Sequence, residues 1–362
     1  MSLSREEVAP NVVVGDFHTR MEDGRVRCDL CPRLCTLREG QRGFCFIREA
    51  RDGEVVLTSY GRSSGFCIDP IEKKPLNHFY PGSAILSFGT AGCNLGCRFC
   101  QNWDISKARE NDRLQSVASP GAIARGAKEA GADSVAFTYN DPVIFHEYAV
   151  DTAKACHDLG LKTVAVTAGY ITPKARGSFF EHLDAANVDL KAFTEKFYGK
   201  ICFAELGPVL ETLSWLKKET DVWFEITTLL IPGENDSEDE VARLSDWVFD
   251  HLGPDIPLHF TAFHPDFKMT DKPRTPSATL ERARAQAKEA GIHHVYTGNV
   301  RDAQGQSTWC SGCGALLVER DGYELGKWGI KEGACGSCSL LVPGHYAAVA
   351  GTWGGRRKSV RI

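Results

Sequence analysis

Short apolar runs bounded by turn residues recur from residue 84 onward, and each is followed by a stretch with helical spacing. AILSFGT (84–90), SVAFTY (134–139), KTVAVT (162–167), AANVDLKAF (185–193), VWFEITTLLI (222–231), PLHFTAF (257–263) and HHVYTG (293–298) read as buried strands. Between them, SPGAIARGAKEAGA reads as a helix capped by Ser119, with Pro120 at its first position and Gly131 near its end. PVIFHEYAVDTAKACHDLG, a short segment from Pro173, residues 204–219, Glu238 to His251 and SATLERARAQAKEAG read as further helices. Strands alternating with helices predict βαβ units on a parallel sheet with right-handed crossovers. Seven strand starts in roughly 215 residues are too few for a closed eightfold barrel. A doubly wound sheet is the alternative, but no GxGxxG follows the first strand. The expected fold class is therefore α/β, a partial (β/α)6 TIM-type barrel over 84–300.

The flanks differ. Residues 1–83 are rich in turn residues and short of periodicity, which predicts an irregular cysteine-rich lobe. Its last segment, DPIEKKPLNHFYPGS (69–83), carries three prolines and should wrap as a loop. Residues 301–362 carry paired cysteine knuckles and a short basic end, GTWGGRRKSVRI, and read as a C-terminal zinc-ribbon-like module.

Composition narrows the function. The 362 residues carry 42 Lys+Arg against 47 Asp+Glu, a net charge of −5, which argues against a broad nucleic-acid surface. No apolar run approaches the ~18 residues of a membrane span, and MSLSREEVAPNVVVGD lacks a basic-then-apolar export pattern. A cytoplasmic location is expected. In such a compartment 14 cysteines read as metal ligands rather than disulfides. Eleven fall into three groups, which leaves Cys67, Cys156 and Cys202 as singles. Cys156 and Cys202 are expected to be buried, inert thiols.

The central group is Cys93-Asn94-Leu95-Gly96-Cys97-Arg98-Phe99-Cys100, a Cys-x3-Cys-x2-Cys set directly after the first barrel-type strand. Fe–S clusters are normally held by four cysteines. Three thiolates on one loop leave one iron of a [4Fe–4S] cube open, as an open position separates catalytic from structural zinc. A zinc knuckle is the structural alternative.

These residues resemble the radical S-adenosylmethionine (SAM) superfamily, whose signature has this spacing at this point of a partial barrel. The resemblance implies that the open iron takes the amino and carboxylate groups of SAM. One electron then cleaves the sulfonium, and a 5′-deoxyadenosyl radical abstracts a substrate hydrogen. It also implies cofactor contacts along the strand ends. Phe99 is the motif aromatic. Asn140 and Asp141, in Thr138-Tyr139-Asn140-Asp141-Pro142, stand where the superfamily often has a Gly-Gly-Glu-Pro turn. Asp141 before Pro142 equally suits a helix cap. Asp189 and Lys191, two apart in the fourth strand, should share a face, near the cofactor or as a buried ion pair. Ile231, in the turn after the fifth strand, would pack on adenine. His264, after the sixth strand, sits at the strand ends where barrel sites lie.

The stretches CNLGCRFCQNWDIS, DPIEKKPLNHFYPGS, AFTYNDP, VDLKAFTEKFYGKIC, TTLLIPGENDS, HFTAFHPDFKM, VYTGNV and GTWGGRR together resemble the AmmeMemoRadiSam-system radical SAM enzymes, a group related to pyruvate formate-lyase activating enzymes. That implies a reductant such as flavodoxin or ferredoxin, and Memo-like and AMMECR-like proteins as companions. Neither a membrane nor a nucleic acid is expected as a partner. The two glycines missing before Asp141, where this chain has Tyr139 and Asn140, separate it from ordinary activases.

Cys310-x2-Cys313 and Cys335-x2-Cys338 read as a four-cysteine zinc site that staples the terminal module. Cys28, Cys31, Cys35 and Cys45 form another four-ligand set that suits zinc or an Fe–S cluster. Zinc is the first expectation there, with Cys67 near enough to substitute as a ligand. Three functions follow: a radical enzyme acting on a small molecule or modified side chain, an activase that makes a glycyl radical on a partner protein, and a cysteine-rich zinc-binding interaction module.

Overall fold

The computed structural model describes residues 5–108 and 116–362. The first four residues of the N-terminal stretch read for an export signal lie outside it. Seven strands form the parallel centre: β1 (Ala84–Phe88), β2 (Ser134–Phe137), β3 (Lys162–Thr167), β4 (Ala185–Asp189), β5 (Trp223–Leu230), β6 (Leu258–Ala262) and β7 (Val295–Gly298). They pair in sequence order, β1 beside β2 through to β7. Every one of these pairings is parallel. The crossovers are α1 (Pro120–Glu129), α2 (His146–Asp158), α3 (Pro173–Phe180), α4 (Gly207–Glu219), α5 (Glu238–Leu252) and α6 (Ser277–Glu289).

Local chemistry sets these boundaries. Ser119 accepts from the Ala122 amide ahead of Pro120, and Ser237 accepts from the Glu240 amide ahead of α5. Gly131, at φ +76°, reverses the chain after α1 in a conformation that glycine adopts without strain. Phe88, Phe137 and Tyr148 interlock between sheet and helix, with ring centroids 5.5–5.6 Å apart.

The flanks join this sheet. Phe66–Pro70 pairs antiparallel with β1, and Lys358–Val360 pairs antiparallel with Phe66–Pro70. Residues 1–83 hold short strands where an irregular lobe was expected: Glu7–Ala9, Val12–Val14, Arg48–Arg51 and Glu54–Leu57 form one sheet, and His18–Arg20, Val26–Cys28 and Thr36–Leu37 another. Two to four residues are too few for an alternating pattern to show.

One continuous core includes Val13, Ile47 and Leu57 from this region together with Phe88, Val135 and Phe260 from the sheet. The contact is also ionic. Arg48 donates to both carboxylate oxygens of Glu147, at 2.9 and 2.5 Å, with both side chains buried. The C-terminal region has a small core of its own, in which Cys310 and Cys335 stand beside Leu317, Val318, Ile330 and Val342. Among the described residues no helix is long and apolar enough to cross a membrane.

Candidate functional site

A cavity of about 720 Å³ runs along the inner face of the sheet to its C-terminal strand ends. Cys93, Cys97 and Cys100 line one end. Their loop leaves β1 through Gly-Thr-Ala-Gly and is tied down on all sides. Asn140 accepts from the Thr90 amide at 3.1 Å and donates to the Gly92 carbonyl at 2.8 Å. Asn94 donates to the Tyr170 carbonyl, and Lys107 donates to the Leu95 carbonyl at 2.8 Å. The Gly96 amide donates to the Cys202 carbonyl at 2.8 Å.

The spacing of the thiols separates two kinds of site. Thiolates about 2.3 Å from one tetrahedral ion stand roughly 3.8 Å apart. The sulfurs of Cys310, Cys313, Cys335 and Cys338 all lie within 4.8 Å of one another, with Cys310–Cys338 at 3.6 Å and Cys313–Cys335 at 3.7 Å. That set fits a single metal ion. Cys93, Cys97 and Cys100 form no such tight group among the described residues, so their spread suits a larger, multinuclear group.

Electrostatics differ among the three central thiols. Burial pushes Cys93 up to about 12. For Cys97, a hydrogen bond with the Cys202 thiol outweighs burial, and Lys191 and Lys107 add to it, so the thiolate is favoured. Ser106 lies 3.0 Å from the Cys100 sulfur.

Asp189 and Lys191 both line the cavity and pair at 2.9 Å. Strand β4 ends at Asp189, so Lys191 lies beyond the strand rather than two along it. Burial alone would lower the Lys191 ammonium, but Asp189 and neighbouring thiols hold it well above its usual range. Its Nζ is 5.8 Å from the centre of the Phe99 ring.

Asp141 lines the cavity and also caps the helical turn after it, accepting from the Val143 amide at 3.1 Å. Thr167 and the Ala168 amide donate to the same carboxyl group. Burial raises it to about 6 even so. The side chain of Asn140 is spent on the cysteine loop. Ile231 is fully buried and His264 is exposed, bonded to Gln101 at 3.1 Å, and neither lines the cavity.

Several participants carried no sequence signal. Lys107 and Ser106 follow the motif without a recognisable pattern. Cys202, expected to be inert, touches Cys97 because a π-helical turn over Tyr198–Cys202 presses it onto the motif loop. Cys156 is a buried thiol pushed up to about 12 by that burial, as expected.

The far end of the cavity is cationic. Lys73, Lys74, Arg274, Arg301 and Arg320 line it. Lys73 and Lys74 share one carboxylate, Asp69, at 2.9 Å each. Arg320 is fully buried 3.9 Å from Glu72. Among the described residues no carboxylate lies within 4.0 Å of the guanidinium of Arg274 or Arg301.

The three cysteines Cys28, Cys31 and Cys35 line a separate small cavity together with Cys45. Cys67 does not line it: it sits in the strand Phe66–Pro70, where Arg357 donates to its sulfur at 3.2 Å.

Comparison with known proteins gives this geometry a context. The sequence model described as "Radical SAM superfamily" matches residues 88–245. A protein of Methanocaldococcus jannaschii, described as uncharacterised, is 41% identical over 304 residues, which are 84% of this chain and 90% of that protein. The 4-hydroxyphenylacetate decarboxylase activating enzyme of Clostridium scatologenes is 22% identical over 193 residues, half of this chain and 59% of that enzyme. Among solved structures, a radical SAM methyltransferase from Sphaerobacter thermophilus superposes with a TM-score of 0.50 at 14% identity, covering 84% of this chain and 81% of that one.

Proposed function

We propose that this chain, whose residues 88–245 form a radical SAM domain, cleaves SAM reductively and uses the 5′-deoxyadenosyl radical to take hydrogen from a small anionic molecule bound in the cavity. A [4Fe–4S] cluster on Cys93, Cys97 and Cys100 would supply the electron and an open iron for the methionyl end of the cofactor. The spread of the three sulfurs fits such a cluster. An external reductant of the flavodoxin or ferredoxin class would feed it.

The chain's own groups have distinct tasks. Asn140 fixes the cysteine loop and Asp141 the turn behind it. Lys191, held protonated beside Asp189, offers a cation to the cofactor's carboxylate. Replacing Lys191 by alanine is expected to weaken SAM binding by about 1.5–3 kcal/mol, roughly ten- to a hundredfold, the worth of a hydrogen bond to a charged group. Equilibrium binding at equal iron content measures this, and an unchanged affinity places Lys191 outside the site.

One observation carries the small-substrate reading. Segment 71–83 and the C-terminal region both supply walls of the cavity, through Lys74, Pro75 and Asn77 on one side and Gln306, Arg320 and Tyr323 on the other. The cavity of about 720 Å³ would hold the cofactor as well as the substrate, which leaves room for a small molecule beside it. The cationic end exceeds what a zwitterionic amino acid group needs, so the substrate brings negative charge.

The likeness to an activating enzyme favours the second reading, radical transfer to a partner protein. The two are separated by incubating the reduced enzyme with fractions of an extract from cells grown in heavy water. Deuterium entering 5′-deoxyadenosine from the small-molecule fraction retained on an anion exchanger supports the first. Deuterium from the protein fraction alone supports the activase. We further propose that the chain works in the AmmeMemoRadiSam system beside Memo-like and AMMECR-like proteins, on the strength of its motif set.

The C-terminal four-cysteine site is proposed to hold zinc. Its sulfur spacing matches a tetrahedral ion, and two of its ligands lie in the small core that it would staple. Cys335→Ser is expected to release about one zinc per chain and to lower solubility, while deoxyadenosine yield per intact cluster changes little. Zinc analysis with a cleavage assay checks this, and retention of full zinc by the variant contradicts it.

A further inference from the structure

We propose that Cys28, Cys31, Cys35 and Cys45 hold a second iron–sulfur cluster, a [4Fe–4S] cube ligated wholly by cysteine, rather than a single zinc ion. All four line one enclosed cavity, with Arg48 and Ile144 completing its wall. Cys28 and Cys45 are buried, and Cys31 and Cys35 are half-buried. Four cysteines around one enclosed space make a complete ligand set for either group.

Spacing decides between them. The C-terminal set shows how this chain builds a site for one ion: four sulfurs mutually within 4.8 Å, with two pairs at 3.6 and 3.7 Å. In the N-terminal set no three sulfurs, among the described residues, come within 4.8 Å of one another. A tetrahedral ion with bonds of about 2.3 Å needs sulfurs roughly 3.8 Å apart, closer than the present side chains and backbone of this set place them.

That backbone is held. Cys28 ends a strand that pairs with both neighbours in its sheet. The Cys45 carbonyl lies so close to Gly92 that a methyl group there would overlap it. The Leu34 amide donates to the Cys31 carbonyl at 3.1 Å, and the Cys28 amide to the Cys35 carbonyl at 2.9 Å. The cube spreads its thiolates over four iron corners and fits the open arrangement. Cys93, Cys97 and Cys100 share this open spacing. That second comparison rests on the radical SAM reading of the central site, whereas the contrast with the C-terminal set does not.

The location adds to the argument. Cys45 and Cys93 line one further pocket of about 200 Å³, which brings a residue of each set together. Arg33, on the wall of the N-terminal cavity, donates to the carbonyl of Asn94, within the central loop, and to that of Phe203. The outer group therefore stands directly behind the loop that carries the central cysteines. With four cysteine ligands no iron is left open, so this group is not a second SAM site.

The test uses the full chain with Cys93, Cys97 and Cys100 all changed to alanine, reconstituted anaerobically with ferrous iron and sulfide and then desalted. Iron, acid-labile sulfide and zinc are counted per chain. The expected result is about four iron and about four sulfide retained, roughly half the wild-type content, with about one zinc. Trace iron with about two zinc, or about two iron with two sulfide, overturns the cube.

Should the triple variant precipitate, Cys31→Ala with Cys35→Ala in the otherwise intact chain gives the same decision. Its iron should fall to about half while the electron paramagnetic resonance signal of the remaining cluster still shifts on adding SAM. Unchanged iron overturns the proposal. Failure of the central reading shows separately, as a wild-type signal that ignores SAM whatever the iron count.

Discussion

With Cys93, Cys97 and Cys100 all replaced by alanine, 5′-deoxyadenosine formation is expected to fall to the level seen without enzyme. The loss should be complete because the three thiolates are the only cysteines at that end of the cavity among the described residues. Without them nothing holds an iron beside the cofactor, and the remaining residues supply charge but no electron. A neighbouring substitution in the same cavity should behave differently: Lys191→Ala weakens binding and leaves cleavage at saturating SAM largely intact. Liquid chromatography of deoxyadenosine and methionine after reduction with dithionite measures both. Substantial deoxyadenosine from the triple variant would remove the chemistry from this loop.

The largest effect on stability is expected at Arg48. Its guanidinium meets both oxygens of Glu147 in the seam between the N-terminal strands and α2, and it also donates to the Ile144 carbonyl at 2.8 Å. Removing one partner of a buried pair leaves the other charged and unpaired, at a cost of about 3–5 kcal/mol. Arg48→Ala should therefore unfold at markedly lower urea concentration than the wild type at pH 7. Arg48→Met with Glu147→Leu should recover much of the loss, because both charges are then gone.

The pH dependence has a definite sign. Burial would raise the Glu147 carboxyl, but Arg48 overrides it and holds it at about 2, below its ordinary 4.5. The stabilisation is thus fully present above about 4.5 and disappears as the pH falls through about 2. Asp141 runs the other way: burial lifts it to about 6 from 3.8, so its contribution is present below 3.8 and is lost as the pH rises through about 6. The gap between wild type and Arg48→Ala should be full at pH 7 and close as the solution is acidified below about 4.5. A gap that widens in acid would contradict this assignment.

Much of the fold is written in local pattern. All seven central strands lie where apolar runs meet turn residues, and Ser119, Pro120 and Gly131 bound their helix through chemistry visible in the sequence. The cysteine motif is equally legible, since a loop of eight residues fixes its own spacing. What the pattern could not carry is long-range contact. Phe66–Pro70 joins the main sheet, and Lys358–Val360 joins it from the other end of the chain, yet neither run differs from a loop in isolation.

The candidate site divides in the same way. Asp189 and Lys191 were readable as a pair, although the chain turns out of the strand between them. Asn140 was readable as a site residue but not as a clamp on the cysteine loop, because its partners lie about fifty residues earlier. Arg274, Arg301 and Arg320 converge on one cavity from separate segments, so their shared charge has no signature in sequence. Ile231 and His264 hold the strand-end positions expected of them, but neither lines the cavity; His264 reaches only Gln101, which does.

The central claim is that Cys93, Cys97 and Cys100 present a cluster with one iron open to SAM. The most direct measurement is electron paramagnetic resonance of the reduced, anaerobically reconstituted enzyme with and without SAM, in the wild type and in the triple alanine variant at matched protein concentration. The account predicts that the wild-type signal changes shape on adding SAM, and that the variant shows no signal responsive to it. A wild-type signal indifferent to SAM, or a responsive signal that survives loss of all three cysteines, would contradict it.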